Sequence, residues 1–488
     1  MAVSLRSSIG LRIIIIAILT LILLIPTAMI DGLITERENR RNAAVQEVSS
    51  KWGSEQILTG AILILPYKPS QLERQTDDKG KTITRKVGES LKYIHLLPQS
   101  LNITVELLPE IRHRGIYDIA LYNAKVKLAG TFSLAELSNL SIEQPENIQW
   151  QEATLAIGIT DLKGIRDVIP IEWNGKAMFA NPGLPTREVI GNIPFNPYKA
   201  QRQPVANYDF EPTQGVASSS GVSVKLNDPS LKDFSNALYA FSTTLDLNGS
   251  EEFMVVPVGK ETTVSIASSW TSPSAIGAYL PEQPLNATSE GFRGTWKVLH
   301  LNREYPQAWI GNAYRIYNSA FGVRLLLPVD EYQKNTRTVK YAVMFIGLTF
   351  LTFLMTELLN RIAIHPIQYL LIGLALVIFY VLLLSLSEQV GFNWAYILSS
   401  LAVIGLIAGY AKSVLKSTLA TLLITGILVI LYGFLFTILQ LQDYALLLGS
   451  LLLFVTLALV MYLTRKIDWF NAGKVLDESA KENPVSQT

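Results

Sequence analysis

Residues 342–464 hold five apolar runs in close succession: AVMFIGLTFLTFLMTELL (342–359), IQYLLIGLALVIFYVLLLSL (367–386), WAYILSSLAVIGLIAGY (394–410), LATLLITGILVILYGFLFTI (419–438) and YALLLGSLLLFVTLALVMYLT (444–464). A spanning helix needs about 20 mostly apolar residues to cross ~30 Å of hydrocarbon, and each run meets or approaches that length. A sixth run, IIIIAILTLILLIPTAMI (13–30), stands alone behind Arg6 and Arg12. It exceeds the roughly 7–15 residues of a signal-peptide core, and no A-x-A-like site follows, so it reads as an uncleaved anchor. Pro26 is tolerable near its outer end, where neighbouring groups satisfy the freed carbonyl. The expected class is a membrane protein with six transmembrane helices, one N-terminal and five C-terminal, and a large β-rich (α+β) domain over residues 31–340.

Loop charges give the arrangement a direction, because cytoplasmic loops carry the Lys and Arg. Arg361 follows the second span, Lys412 and Lys416 the fourth, and Arg465, Lys466 and Lys474 the sixth. SEQVGFN (387–393) and QLQDY (440–444) hold Glu388 and Asp443 but neither Lys nor Arg. The alternation predicts cytoplasmic residues 1–12 and 465–488, a bundle over 342–464, and a periplasmic 31–340. Arg37, Arg40 and Arg41 oppose it, as do Lys334, Arg337 and Lys340. Long translocated domains escape the charge rule, however.

The net charge of +1 provides no basic field for nucleic acid. The chain has no cysteine, which excludes disulfides, thiolate metal sites and cysteine nucleophiles. A domain of this size buries enough apolar surface to fold without covalent staples. The cytoplasmic pieces are too short for a kinase or other output domain, which needs roughly 50 residues.

Between the anchors, Thr35 to Trp52 reads as a helix continuing from the first span, with Glu36 and Arg40 at i, i+4. Strand-like runs follow: GAILILPY, NITVELL, IALYNAKVKLAGTF, ATLAIGITDL, TTLDLNGS, FMVVPVG, TTVSIASSW and TWKVLHLN. DDKG, between Leu72 and Tyr93, suggests the turn of a charged hairpin. The stretches 181–204 and 207–233 are loop-like, so the domain is either one sandwich or two lobes with a break near 181–233.

No catalytic signature stands out. The four histidines show no metal-ligand spacing, and GxSxG, Walker A and post-strand GxGxxG are absent. His113 and Arg114, in EIRHRGIY, read as a polar strand end before a Gly turn rather than a metal site. Asp161, Asp330 and His300 are the best carboxylate and imidazole candidates for a membrane enzyme acting on lipid or cell-wall substrates. Glu357 lies late in the second span, where an ionised carboxylate is costly. Its bland reading is an interfacial pair with Arg361 at i, i+4; a transport reading needs a water-filled cavity and partners such as Tyr380, Ser385 and Ser387.

The membrane motifs IHPIQYLLIGLALVIFYVLLLSLSEQ (364–389), GFNWAY (391–396) and LQDYALLLGSLLLFVTLALVMYLTRKIDWF (441–470) resemble the CreD family of bacterial inner-membrane proteins. So do FGVRLLLPVDEYQKNTRTVKYAVMFIGLTF (321–350), RGIYDIALYNAKVKLAG, GITDLKGI, LNGS, SSWTSPSAIGAYLP and GFRGTWKV. The resemblance covers almost the whole chain in order. It departs at Gly60-Ala61, where the family pattern has Gly-Pro, a change in local turn rigidity. It implies a role in envelope integrity, tolerance to certain colicins and a regulon linked to β-lactam response. It assigns no reaction, cofactor, ligand or catalytic residue.

Several segments can still be read physically. In HPIQY, Pro366 suits a first helical turn, with His365 and Gln368 as cap groups. Glu388 closes a span at its outer end. Asp330, Lys334, Arg337 and Lys340 either dock the domain on the bundle and headgroups or form a solvated collar. The expectation is a non-enzymatic factor that binds or braces near the membrane. Its partners would be the lipid bilayer and envelope proteins or cell-wall components, with no nucleic acid and the oligomeric state left open. The alternatives are a transporter or flippase-like bundle and a regulatory partner of a membrane sensor.

Overall fold

The computed structural model describes residues 9–76, 82–88, 90–142, 144–186, 220–232, 238–326, 331–360, 364–441 and 444–465. The chain separates into two compact units, one of residues 1–42 with 329–488 and one of residues 43–328. The β unit is narrower than the 31–340 stretch, because helical segments at both ends cluster with the bundle.

In the helical unit, α1 (Ile9–Trp52) is one helix of 44 residues that runs through Pro26. It fuses the expected anchor with the helix expected after it. Its buried stripe is Leu23, Thr27, Ile30 and Ile34, the spacing of one helix face. The other helices are α2 (Glu331–Lys340), α3 (Ala342–Asn360), α4 (Pro366–Val390), α5 (Phe392–Leu415), α6 (Thr418–Gln440) and α7 (Ala445–Thr464). Six helices, α1 and α3 to α7, are long and apolar enough to cross a membrane. Leu23 of α1 seats on Gly373 of α4: a Cβ there would lie 2.2 Å from Leu23 Cδ1 and 2.9 Å from Phe350 of α3. Small residues let helices approach closely in lipid, where no hydrophobic drive separates them from acyl chains.

SEQVGFN is not a loop. Helix α4 continues through Glu388 to Val390, and Gly391 alone links it to α5. The turn requires glycine, since Gly391 has φ +78°. This keeps Ser387 and Glu388 on a helix rather than in solvent.

The β unit holds two large sheets. In the nine-stranded one, Gln56–Tyr67 is central and all twelve of its residues are buried. It pairs in parallel with Glu252–Val256 and antiparallel with Thr154–Ile159 and Lys92–Leu96. Its apolar run is continuous, as expected of a strand covered on both faces. The register shifts between Thr59 and Ile62, so Gly60-Ala61 forms a bulge inside the strand rather than a turn.

The seven-stranded sheet runs Phe292–Leu299, Glu261–Ser268, Ser100–Arg114, Tyr117–Ser133, Leu238–Ser250, Pro170–Trp173 and Lys176–Phe179. Ser100–Arg114 alternates buried and exposed through Leu108, the mark of a sheet with one solvated face. Both sheets contribute to one hydrophobic core, which includes Leu63, Leu101, Val126 and Trp296. The described residues therefore form a sandwich, and most of the expected break near 181–233 (187–219) lies outside them. The expected hairpin exists, with Thr76 opposite Thr82, while the DDKG turn lies outside the described residues.

Candidate functional site

Two polar clusters stand out in the helical unit, each built on one carboxylate. The first is Glu357, near the end of α3 and 1% exposed. The Arg12 guanidinium of α1 donates to its Oε1, and the Ile364 N–H reaches the same oxygen at 3.4 Å. The Tyr369 hydroxyl of α4 donates to Oε2 at 2.9 Å. Three helices meet on one carboxylate whose two oxygens are both engaged. Arg361, the expected i, i+4 partner, lies outside the described residues. The partners suggested for a transport site are elsewhere. Tyr380 is about 16 Å beyond Tyr369 along α4, and Ser385 and Ser387 lie farther still, at 1.5 Å per residue.

Beside this cluster, His365 and Gln368 form a helix cap. His365 Nδ1 accepts from the Ile367 N–H at 3.3 Å, and Gln368 Oε1 accepts from the His365 N–H at 2.9 Å. The two residues satisfy donors that the first turn of α4 leaves over, and Pro366 removes another.

The second cluster centres on Glu388, at the other end of α4. The Tyr332 hydroxyl of α2 donates to its Oε1 at 3.0 Å, and Arg37 of α1 stands 3.7 Å from Oε2. Asn335 Nδ2 donates to Ser387 Oγ at 2.8 Å. Lys334 Nζ lies 5.3 Å from the centre of the Phe392 ring, a cation–π contact. Burial holds the Glu331 carboxyl above its ordinary pKa, although the Phe392 N–H and Lys334 act against the shift. Of the basic residues expected as a collar, Lys334 is thus drawn into the cluster while Lys340 ends α2 exposed. Asp330 lies outside the described residues.

Arg12 and Arg37 are 25 residues apart on one helix, about 38 Å at 1.5 Å per residue, slightly more than the ~30 Å hydrocarbon thickness. Each cluster therefore suits one face of a bilayer. Sequence reading found both carboxylates but not these partners. The signal was available: one Arg at each end of α1's apolar length and one acid at the matching end of a C-terminal span.

The remaining candidates lie apart in the β unit. Arg114 ends its strand and donates to Glu47 of α1 at 3.1 Å, next to the Gly115 turn with φ +62°. Asp161 caps the Leu162–Gly164 turn, accepting from the Lys163 and Ser54 N–H groups at 3.0 Å each. His300 opens a different turn, His300–Asn302. Two buried groups went unnoticed in the sequence. His95 lies against Trp309, ring centroids 5.4 Å apart, and burial lowers its pKa to about 4. Arg303 stacks 4.3 Å from the Tyr305 ring centroid and donates to the carbonyls of Tyr305 and Val258 at 2.8 and 3.3 Å. Burial lowers the Arg303 pKa and raises that of Tyr305 to about 12. Among the described residues no group of three or more His, Asp or Glu could hold a metal ion.

The family model described as "Inner membrane protein CreD" matches residues 8–470. The inner membrane protein CreD of Escherichia coli (strain K12) is 31% identical over 467 residues, covering 95% of this chain and 94% of that protein. No solved structure matches.

Proposed function

The chain belongs to the CreD family of inner membrane proteins, and on that footing we propose that it supports cell-envelope integrity by binding or bracing, with no reaction of its own. In this reading both termini are cytoplasmic, and the β unit stands in the periplasm, held at both ends. The supporting observation is the Glu388 joint. Helix α1 leads into the β unit and α2 follows it, and one carboxylate takes Arg37 from the first and Tyr332 from the second. A domain whose two tethers share an anchor has restricted reach and orientation. That suits action beside the membrane better than capture of distant partners.

The transport alternative draws no support from Glu357. That carboxylate is buried and both its oxygens are engaged by Arg12, Tyr369 and the Ile364 N–H.

The test joins phenotype and topology. A deletion strain should become more sensitive to detergent, β-lactam and colicin, and Glu388→Gln should restore resistance only in part. Unchanged sensitivity in the deletion strain defeats the envelope role. The absence of native cysteine gives a clean labelling background. Ser269→Cys should react with an impermeant maleimide in intact cells, and Lys412→Cys only after permeabilisation. The reverse pattern overturns the orientation.

A further inference from the structure

A cleft of 590 Å³ opens in the β unit where Ser100–Arg114, Glu261–Ser268 and Phe292–Leu299 meet the 283–291 loop. Its size lies within the roughly 300–1,000 Å³ typical of ligand sites. Ala267 is in register with Glu106 on one side and Arg293 on the other. The three residues form a row, the outer two about 10 Å apart by two strand spacings. The small alanine lowers the floor between a carboxylate and a guanidinium. Glu290, from the loop, adds a second carboxylate.

Among the described residues, none of these three charged side chains has an ion-pair or hydrogen-bond partner. Opposite charges therefore line one cleft without neutralising each other, since Ala267 holds them apart. The cleft also exposes main chain. Strand Glu261–Ser268 ends opposite Leu107, while its neighbour continues to Arg114, paired only with Tyr117–Ser133 among the described residues. Leu108 lines the cleft beside this open edge, with its own N–H and C=O turned to Asn123 on the paired strand, so the carbonyl of Pro109 is the next main-chain group on the open side. Pro109 next to it has no N–H to donate and stops a long added strand.

We propose that this cleft binds a short peptide bearing more ammonium groups than free carboxylates. Its ammonium groups face Glu106 and Glu290, and its carboxylate faces Arg293. Of the charged groups that line the cleft two are anionic and one cationic, which sets the reverse ratio on the ligand; Lys125, in register with Glu106 on the strand away from the cleft, is outside that lining. The open edge beyond Ser268 leaves room for an extended dipeptide, and Pro109, with no N–H to donate there, limits its length. This deepens the binding half of the function proposed above and rests on it only for where the ligand is met.

The probe is alanyl-lysine, followed by saturation-transfer NMR on the full-length protein in detergent micelles. Saturable binding at millimolar concentration is expected, weaker for alanyl-alanine and weakest for the N-acetylated amide of alanyl-lysine. Glu106→Gln and Arg293→Gln should each weaken alanyl-lysine roughly two- to fivefold, the range of a solvent-exposed charge contact. Both positions are exposed, so the fold should tolerate either change, and an unaltered melting curve checks this. Ala267→Leu, which fills the floor, should abolish binding. The proposal is overturned if the dipeptide does not bind, if its blocked form binds equally well, or if both charge variants keep full affinity. Such a failure leaves the deletion phenotype standing, and an unchanged phenotype leaves the titration standing.

Discussion

Replacing Arg12 by leucine strips the buried Glu357 carboxylate of its counter-charge. Breaking a buried pair from one side costs about 3–5 kcal/mol, chiefly through the stranded charge. Two features place this site toward the low end. The Tyr369 hydroxyl and the Ile364 N–H remain as donors. Arg12 is itself 23% exposed, so solvent already screens part of its attraction. Arg12→Leu should therefore destabilise the helical unit by about 2–3 kcal/mol. Glu357→Leu leaves an arginine near a helix end, where its long side chain can reach the interface, and should cost about 1 kcal/mol. The double variant exchanges the pair for apolar groups and should lie within ~1 kcal/mol of the parent.

The singles sum to about 3–4 kcal/mol and the double variant stays near the parent, so the cycle yields a coupling energy of about 2–5 kcal/mol. Equilibrium unfolding in mixed micelles with rising SDS, followed by circular dichroism of the helices, measures all four corners. Additivity within ~0.5 kcal/mol would falsify the pairing, since independent sites behave that way. A double variant as weak as Arg12→Leu alone would refute the argument differently. It would mean that the stranded carboxylate is not what makes the single change costly.

Three further outcomes follow from the geometry. Glu388→Gln weakens the contacts of Tyr332 and Arg37, and a loss of about 1–1.5 kcal/mol should speed amide exchange along α2 roughly tenfold. Unchanged protection of Gln333 to Val339 rules out the joint. His95, neutral and buried with a pKa of about 4, starts from roughly 6.5 in the unfolded chain. A depressed histidine pKa adds stability above pH ~6.5 that is lost as pH falls toward 4, in all about 3 kcal/mol. Thermal unfolding across that window should show the loss, and His95→Phe, which keeps a ring against Trp309, should flatten it. In Gly322→Ala the new Cβ would lie 2.1 Å from the Phe253 carbonyl oxygen of the neighbouring strand. A rigid main-chain clash of that kind should cost about 3 kcal/mol, and a melting temperature equal to the parent's counts against it.

Much of the fold was legible because it rests on period and length. The six apolar runs are long and nearly uncharged, so the five C-terminal helices match their runs closely, while α1 continues well past its run to Trp52. The eight strand-like runs are strands for the same reason. Harder to read were short strands such as Pro170–Trp173 and Phe321–Leu325, where four or five residues carry too little pattern. SEQVGFN was misleading because its polar residues resemble a loop. Yet Ser387 and Glu388 are polar in order to receive Asn335 and Tyr332, contacts that exist only in the folded bundle. The same holds for Glu357. Its i, i+4 neighbour is visible in sequence, while Arg12 is 345 positions away.

The contrast between the first and last spans explains why those distant contacts exist. Helix α7 has no buried residue, and only the short segment after Gln440 separates it from α6. A short connection keeps a helix beside its neighbour whatever the contacts. Helix α1 lacks that advantage, because residues 43–328 intervene before the chain returns to the bundle. Lipid supplies no hydrophobic drive for helix association, so packing and polar contacts must hold such a helix in place. Helix α1 has both: Leu23 against Gly373 within its apolar length, and an arginine on a buried or nearly buried carboxylate at each end. The two ends should differ in consequence. Loss of the Glu357 contact loosens α1 where no other tether arrives. Loss of the Glu388 contact also frees α2, and with it the second attachment of the β unit. A stability defect should therefore follow the first carboxylate, and an envelope phenotype the second.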